Sequence, residues 1–336
     1  MRIVGIDLGT THCAVASVDP SKGAGAPVED FPIPQLVRQG EVAPRALLPS
    51  TVYVPAGHEL AADSLKLPWS DDGGPWVVGE LARWQGARVP GRLVASAKSW
   101  LCHPGVDRSA PILPWGAPAD VQKLSPVEAS ALLLTHMARA WDFAHPEAPL
   151  SKQEVVITVP ASFDEAARAL TVSAARKAGL EKFTLLEEPQ AAFYDYTARH
   201  RTGLEQTLAN TRLVLVVDVG GGTTDFTLVH AGVSPEGPML RRLAVGDHLL
   251  LGGDNMDAAL ARRVEEKLFS DGRRLSATQW TQAIQAARTA KEALLGNAPP
   301  EKHGVSLVSE GSRLLGGTLS TELLRDEAHA LVLDGF

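Results

Sequence analysis

Apolar and polar positions alternate with strand spacing in two distant parts of the chain. In the first half, residues 2–6 lead through a short loop into a second alternating run over 12–18. In the second half, residues 213–217 and 225–230 repeat the same order. Each loop therefore joins two strands, which predicts two β-hairpins and argues against the strand-to-helix turn of Walker and dinucleotide-binding motifs.

Strand and helix patterns alternate between and after these hairpins. Ser125, followed by Pro126 and Glu128, offers a capping box that opens one predicted helix, and Pro146 ends it. Strands are predicted over 154–159 and 183–186; other helices begin at Ser162, Pro189, Asp254 and Ser276, and a last one covers about 320–333. This mixture is typical of an α/β fold.

The length of the chain indicates two lobes, because 336 residues exceed what a single hydrophobic core usually serves. The polar stretch 199–212 sets the boundary near residue 205, with lobe I over 1–205 and lobe II over 206–336. Prolines and tryptophans concentrate between about 20 and 120, which predicts a loop-rich outer subdomain with short strands. A helical outer subdomain is expected in lobe II over about 247–318.

Composition narrows the class of protein further. Hydrophobic residues make up 45% and charged residues 21%, which is typical of a globular domain. The net charge of −7 disfavours nucleic-acid binding. No signal-peptide pattern and no apolar run of about 20 residues is present, so we expect no membrane association and a cytoplasmic location. Cys13 and Cys102 are expected to be reduced, packing thiols.

The two hairpin loops carry the same residue types, as Asp7-Leu8-Gly9-Thr10-Thr11 and as Asp218-Val219-Gly220-Gly221-Gly222-Thr223-Thr224-Asp225. Glycines let backbone N–H groups approach a phosphate, threonine hydroxyls add donors, and an acidic side chain can hold a hydrated Mg²⁺. One such loop alone is more typical of a tight turn, but the pair predicts two similar lobes that close on one nucleotide. Asp7 and Asp218 end apolar strands, where a buried unpaired carboxylate is costly, and this favours a functional role.

Five segments, in order along the chain, resemble the nucleotide-binding domain of the 70-kDa heat-shock chaperones, within the actin-like ATPase superfamily. They are residues 5–11, 159–163 with Arg168, 187–192, 218–225 and 252–257. The resemblance implies two ribonuclease-H-like lobes with mixed sheets and outer subdomains, and a nucleotide at the base of the cleft between them. Residues from about 20 to 75 have no convincing counterpart in the family.

By that resemblance the chain binds and hydrolyses ATP, with ATP/ADP and Mg²⁺ as cofactors. Asp7 and Asp225 would hold Mg²⁺ through its water molecules, with Glu188 on the γ-phosphate side of the metal. The other expected nucleotide contacts are Gly9, Thr10, Thr11, His12, Gly220, Gly221, Gly222, Thr223, Thr224, Gly253, Arg288 and Lys291.

The resemblance also implies catalytic roles. Asp218 would orient the attacking water and accept its proton, with help from Thr223, and Lys98 would neutralise charge on the transferred phosphoryl group. The implied partners are co-chaperones, exchange factors and client peptides, through a domain outside this sequence. Without the resemblance, three of these residues have ordinary interpretations. Lys98 could be a solvated helix charge, Glu188 an acidic residue that favours a helix N-terminus, and His12 an ordinary strand residue.

Two features depart from the family pattern. On the predicted adenosine helix Lys291 matches, but Arg288 replaces a glutamate and Leu295 a serine. The chain ends at Phe336 before the family's Gly-Gly-Ser/Thr-Arg segment, which Leu315-Gly316-Gly317-Thr318 does not match. We therefore expect weakened ATP affinity and exposed apolar surface on the second lobe.

Two other functions remain open on the same residues. A small-molecule kinase of the actin-like class would use the same phosphate loops, but it needs an acceptor-binding segment, and we find none. A non-enzymatic nucleotide-sensing scaffold would fit the altered adenosine helix and the short second lobe.

Overall fold

The structure is a computed structural model that describes most of the chain. The described residues are 1–23, 25–57, 59–70, 74–117, 119–200, 211–234, 237–246, 249, 251–308 and 317–336, without the side chains of 233, 234 and 237–240. They divide into two compact units, Met1–Arg83 with Leu93–Leu250, and Trp84–Arg92 with Leu251–Phe336. Both hairpins belong to the first unit. The lobe boundary near residue 205 lies outside the described residues, so the division at that point stays a prediction.

The elements before residue 250 follow in this order: β1 Ile3–Leu8, β2 His12–Val18, β3 Glu29–Asp30, β4 Ile33–Arg38, β5 Glu41–Arg45, β6 Leu48–Pro49, β7 Thr51–Tyr53, β8 Val77–Val78, α1 Glu80–Arg88, β9 Leu93–Ala95, α2 Ala97–Trp100, α3 Pro126–Ala144, β10 Glu154–Val159, α4 Glu165–Lys177, β11 Phe183–Glu187, α5 Glu188–Arg199, β12 Leu213–Val219, β13 Thr224–Ser234 and β14 Gly237–Val245. The later elements are α6 Gly253–Leu268, α7 Ala277–Leu294, β15 Lys302–Val308, β16 Thr318–Leu324 and α8 Arg325–Val332.

The first sheet is mixed, with the strand order β11-β10-β1-β2-β3 and β6 paired to β2. β1 runs parallel to β10 and antiparallel to β2. Ile6 and Ile157 pair across β1 and β10, and both are buried in one core cluster with Trp141 of α3 and Ala167 of α4. Because β1 and β10 are parallel, their carboxyl ends meet at one edge of the sheet. Asp7 lies at that edge, opposite Thr158.

Local capping signals set the helix starts around this core. The Ser125 hydroxyl accepts the Glu128 N–H at 3.1 Å and Glu128 accepts the Ser125 N–H at 2.8 Å, so the predicted capping box is confirmed. The predicted start of the next helix at Ser162 is wrong. Asp164 caps α4 by accepting the Ala167 N–H at 2.6 Å, and a carboxylate binds the helix end more strongly than a hydroxyl.

The second sheet consists of β12, β13 and β14 in antiparallel order. The hairpin between β12 and β13 brings Asp218 directly opposite Asp225. On β12, Leu213, Leu215, Val217 and Val219 are between 50 and 57% exposed. These four side chains form the exposed apolar surface that was expected in the second half of the chain.

Short strands occupy the loop-rich stretch between the first hairpin and α3, as predicted. β4 pairs with β5, and β7 lies between β8 and β9. Leu36, Tyr53 and Leu81 are buried together there in a small core of their own. Both cysteines are free thiols, Cys13 buried and Cys102 partly buried, as expected.

The second unit packs α6 and α7 against the β15–β16 hairpin and α8. Leu260 and Val264 of α6 share a core with Ala287 of α7 and Val305 of β15. The small alanine side chain allows close approach of these two helices. Among the described residues, none of the helices combines the length and the apolar character that a bilayer crossing requires.

The last predicted helix, 320–333, is partly wrong. Residues Thr318–Leu324 form β16, in which Ser320 pairs with Ser306 of β15, and the helix starts only at Arg325. Leu319, Thr321 and Leu323 are less exposed than the residues between them, a period-two pattern that pairing with β15 selects. The prediction that Asp254 caps α6 is also wrong. Gly252 stands at that position, and its N–H donates to the Asn255 side chain at 2.9 Å.

Candidate functional site

The two hairpin loops face each other within the first unit. A cavity of about 710 Å³ is lined by residues of both loops. It is surrounded by most of the predicted site residues: Asp7, Gly9, Thr10, Thr11, His12, Lys98, Glu188, Asp218, Gly220, Gly221, Thr223 and Asp225. Two loops that are far apart in sequence therefore enclose one space, which is what a duplicated phosphate hairpin predicts.

Close approach between the loops depends on glycine. A Cβ atom at Gly221 would overlap the Thr11 hydroxyl, and one at Gly222 would come within 3.2 Å of Ser99 Oγ and 3.4 Å of Thr10 Cγ2. A Cβ at Gly9 would overlap the His12 carbonyl oxygen. Only residues without a side chain fit at these three positions unless the neighbours move.

Asp7 reaches the cavity from the end of β1. Thr158 on the neighbouring strand donates its hydroxyl to Asp7 Oδ1 at 2.6 Å. Asp7 is exposed and Asp218 is partly exposed, so the expectation that both carboxylates are buried at their strand ends is wrong. They face a polar cavity, where a carboxylate can keep its charge and meet a ligand.

The second loop is closed by its own hydrogen bonds. The Gly220 N–H donates to the Thr223 carbonyl at 2.8 Å, and the Thr223 hydroxyl donates to Asp225 Oδ2 at 3.3 Å. Thr224, by contrast, is buried, and its N–H donates to the Leu249 carbonyl at 3.0 Å. The glycine turn thus presents Thr223 and Asp225 to the cavity while Thr224 anchors the strand.

Lys98 and Glu188 form an ion pair at the wall of the cavity. Lys98 lies on α2 and is 8% exposed; Glu188 is the first residue of α5. Burial lowers the pKa of Lys98, but the carboxylates of Glu188 and Asp7 more than offset this and hold that pKa above its usual range. The ammonium is therefore protonated at neutral pH, and the interpretation of Lys98 as a solvated helix charge is wrong.

Acidic side chains dominate the electrostatics of the cavity. Burial raises the pKa of Asp218, the nearby charges of Asp225 and Asp7 raise it further, and Lys98 opposes them. Burial also raises the pKa of Glu188, although its partner Lys98 works against the rise. Five carboxylates line the cavity together with the cations Lys98 and Arg199, so the site favours an added cation.

The residues present fit a hydrated cation together with phosphate. Within the described ranges, no three His, Cys, Asp or Glu side chains lie close enough to hold a metal directly. A cation here would need water or ligand oxygens in its coordination shell, which Mg²⁺ prefers. The Thr11 hydroxyl is buried between the loops and has no hydrogen-bond partner among the described residues, and an entering phosphate oxygen would accept from it.

Three predicted nucleotide contacts lie in the second unit: Gly253, Arg288 and Lys291. Asp257 of α6 is fully buried and pairs with Arg288 Nε at 2.7 Å and with Lys291 Nζ at 2.7 Å. Arg288 also pairs with Asp254, and Lys291 donates to the Gly253 carbonyl at 3.0 Å. The arginine that departs from the family pattern thus ties α7 to α6.

Several residues that line the cavity were not predicted from the sequence. Thr158 lies in a predicted strand, but only the parallel register of β1 and β10 sets it beside Asp7. Arg199 and Asp195 of α5 line the cavity and pair with each other at 2.7 Å. Their i, i+4 spacing on a helix was the available signal.

Comparisons with known proteins show the family to which the chain belongs. The mixed sheet and the facing hairpins are those of an α/β fold of the actin-like ATPase class. The profile of the Hsp70 protein family matches residues 114–334, and the chain belongs to the Hsp70 family.

Curated relatives support the same assignment. The chaperone protein HscA homolog of Acinetobacter baumannii is 33% identical over 300 residues, covering 87% of this chain and 42% of the relative. Those of Bordetella pertussis and Acidithiobacillus ferrooxidans are 33% identical over 308 residues and 35% over 306 residues. They are covered to 42% and 41% of their length, and this chain to 88% and 87%. The chain thus spans less than half of the curated relatives it matches.

Proposed function

We propose that the chain binds Mg²⁺–ATP with its two phosphate hairpins and hydrolyses the γ-phosphate, as the ATPase part of an Hsp70-type chaperone. One observation carries the proposal. Both loops line a single cavity that also contains the buried Lys98 ammonium and the Asp218 carboxylate. Phosphoryl transfer to water needs charge neutralisation and a positioned nucleophile, and this arrangement supplies groups for both.

The hairpin backbones would bind the phosphates. Gly9, Thr10 and Thr11 on one side and Gly221 and Gly222 on the other would offer N–H groups. The Thr11 hydroxyl, which has no hydrogen-bond partner among the described residues, would offer a further donor. His12 and Thr224 were predicted to join them. His12 lines the cavity, whereas the buried Thr224 would act through the strand it anchors.

Mg²⁺, when bound, would neutralise the charge of the phosphate oxygens. Asp7 and Asp225 would hold its water molecules from opposite loops, and Glu188 would face the γ-phosphate side. Thr158 would keep the Asp7 carboxylate in one orientation through their hydrogen bond.

Asp218 would act as the base of the reaction. Its raised pKa brings it closer to the working pH, so that it can take a proton from water more readily than an ordinary aspartate. Thr223 would help to place that water. Lys98, held protonated among carboxylates, would stabilise the charge that develops on the transferred group.

The nucleoside end of ATP would be bound more weakly than the phosphates. The predicted adenosine contacts Gly253, Arg288 and Lys291 belong to the second unit, and both cations among them already pair with Asp257. We therefore expect an ATP affinity weaker than about micromolar. By family membership, the ATP cycle would couple lobe closure to co-chaperones, exchange factors and client peptides.

A calorimetric titration of Mg²⁺–ATP, with phosphate release followed in parallel, tests the proposal. We expect saturable binding and release by the unaltered chain. Gly221→Ala should weaken binding about tenfold or more, because its methyl group would push the Thr11 side chain and separate the loops. Gly57→Ala is the matched control, since a Cβ there meets no described residue within 4 Å.

The outcomes separate the candidate functions. Binding without phosphate release would favour the nucleotide-sensing scaffold. Release that depends on an added sugar or acid acceptor would favour the kinase. No binding, or equal binding by the two glycine variants and the unaltered chain, would contradict a phosphate site at these loops.

A further inference from the structure

The outer side of the first phosphate loop is held by a short segment of the loop-rich stretch. β6 pairs with β2, with Leu48 opposite Cys13 and Pro49 opposite His12. Ser50 follows directly and is only 4% exposed. Its N–H donates to the Thr11 carbonyl at 2.8 Å, and its hydroxyl donates to the Gly9 carbonyl at 2.7 Å. One residue therefore binds two carbonyl groups of the loop.

A buried thiol completes this contact. Cys13 Sγ lies 3.3 Å from Ser50 Oγ, and both side chains are shielded from water. Burial raises the pKa of the Cys13 thiol to about 12, so it keeps its proton at neutral pH. The single hydroxyl proton of Ser50 goes to Gly9, so the thiol is the donor to Ser50. Cys13, Ser50 and Gly9 thus form a short donor chain that ends on the loop backbone.

Fixing the Gly9 carbonyl also fixes the next N–H group. A trans peptide unit is planar, and its C=O and N–H point in opposite directions. When Ser50 holds the Gly9 carbonyl on the outer side of the loop, the Thr10 N–H is directed the other way. Gly9 and Thr10 line the cavity.

We propose that Ser50 is a positioning residue for the first phosphate loop, which orients the Gly9–Thr10 peptide so that the Thr10 N–H meets a phosphate oxygen. This inference rests on the proposed nucleotide function of the cavity. It adds a residue outside the two glycine–threonine loops, from a part of the sequence that showed no chemistry of its own.

The adjacent residue provides a matched control. Thr51 is 6% exposed, and its hydroxyl donates to the Gly79 carbonyl at 2.9 Å, which does not belong to a phosphate loop. Ser50→Ala and Thr51→Val each remove one buried hydroxyl-to-carbonyl hydrogen bond from the same segment, and Ser50→Ala also removes the acceptor of the weak Cys13 thiol donor. We expect similar, small decreases in thermal unfolding temperature for both.

Ligand affinity and the order of the loop backbone then distinguish a positioning role of Ser50 from a mere loss of stability. Ser50→Ala should raise the Kd for Mg²⁺–ATP and for Mg²⁺–tripolyphosphate about tenfold, whereas Thr51→Val should leave both unchanged. In the nucleotide-free protein, Ser50→Ala should also lower the NMR order parameter of the Thr10 amide, because its peptide is no longer held, and Thr51→Val should not.

The possible results distinguish the proposed nucleotide function from the positioning role of Ser50. If the unaltered chain binds neither ligand, the proposed function fails, and the order parameter of the Thr10 amide alone decides whether Ser50 orders the loop. If Ser50→Ala changes neither the Thr10 order parameter nor the affinity, or if both variants change them equally, the positioning role is overturned.

Discussion

Replacing Asp218 with asparagine is expected to slow phosphate release by about 10² to 10⁴-fold while Mg²⁺–ATP binding persists. The amide keeps the size and a hydrogen-bonding oxygen of the side chain, but it cannot accept a proton from water. Binding persists because the change removes one negative charge from a site crowded with carboxylates. Single-turnover phosphate release, beside a binding titration, measures the two effects separately.

The pH profile provides a second readout of Asp218. Its pKa lies above that of an ordinary aspartate because of burial and of the charges on Asp225 and Asp7. The carboxylate is therefore protonated at a higher pH than usual, and turnover should fall as the pH drops through that raised pKa. The asparagine variant should lose this acid limb.

Asp195→Asn is the matched control for Asp218. Asp195 also lines the cavity, but it pairs with Arg199 and is largely exposed. Its replacement should change turnover little. Unchanged turnover in Asp218→Asn, or an equal loss in both variants, would remove Asp218 from the role of base.

Lys98→Met is expected to lower turnover by about 10² to 10³-fold. Methionine keeps the apolar stem that packs at this buried position but lacks the ammonium group. Without that charge, nothing on α2 stabilises the developing negative charge, and Glu188 loses its ion-pair partner. Rapid-quench measurement of the chemical step, with the fold checked by circular dichroism, tests this.

Lys66→Met serves as the control for Lys98. Lys66 is exposed and pairs with Asp63 in a solvated contact outside the cavity. Its replacement should leave turnover at the level of the unaltered chain. A fully active Lys98→Met variant would mean that the ammonium only balances the charge of Glu188.

Much of the fold could be predicted from patterns of residues that are close together in the sequence. The two hairpins, the strands around them and the Ser125 capping box depend on neighbours within a few residues, and the structure confirms them. The glycine–threonine loops could also be predicted locally, because glycine is the residue that lets a backbone approach its neighbours without a side chain.

The features that the sequence did not predict depend on residues that are distant along the chain. β16 is a strand because β15 pairs with it, and Thr158 and Ser50 meet the first loop through strand register that no short window contains. Arg288 ties two helices together because Asp254 and Asp257 face it from α6. The exposure of Asp7 also follows from the cavity, which only the assembled loops create.

Hydrogen exchange of the two loops, with and without saturating Mg²⁺–ATP, tests the central claim most directly. If both hairpins grip one triphosphate, the segments 7–12 and 218–225 should become protected together and to the same saturation point. Protection of one segment alone, or of neither while ATP is bound, would contradict a shared phosphate site.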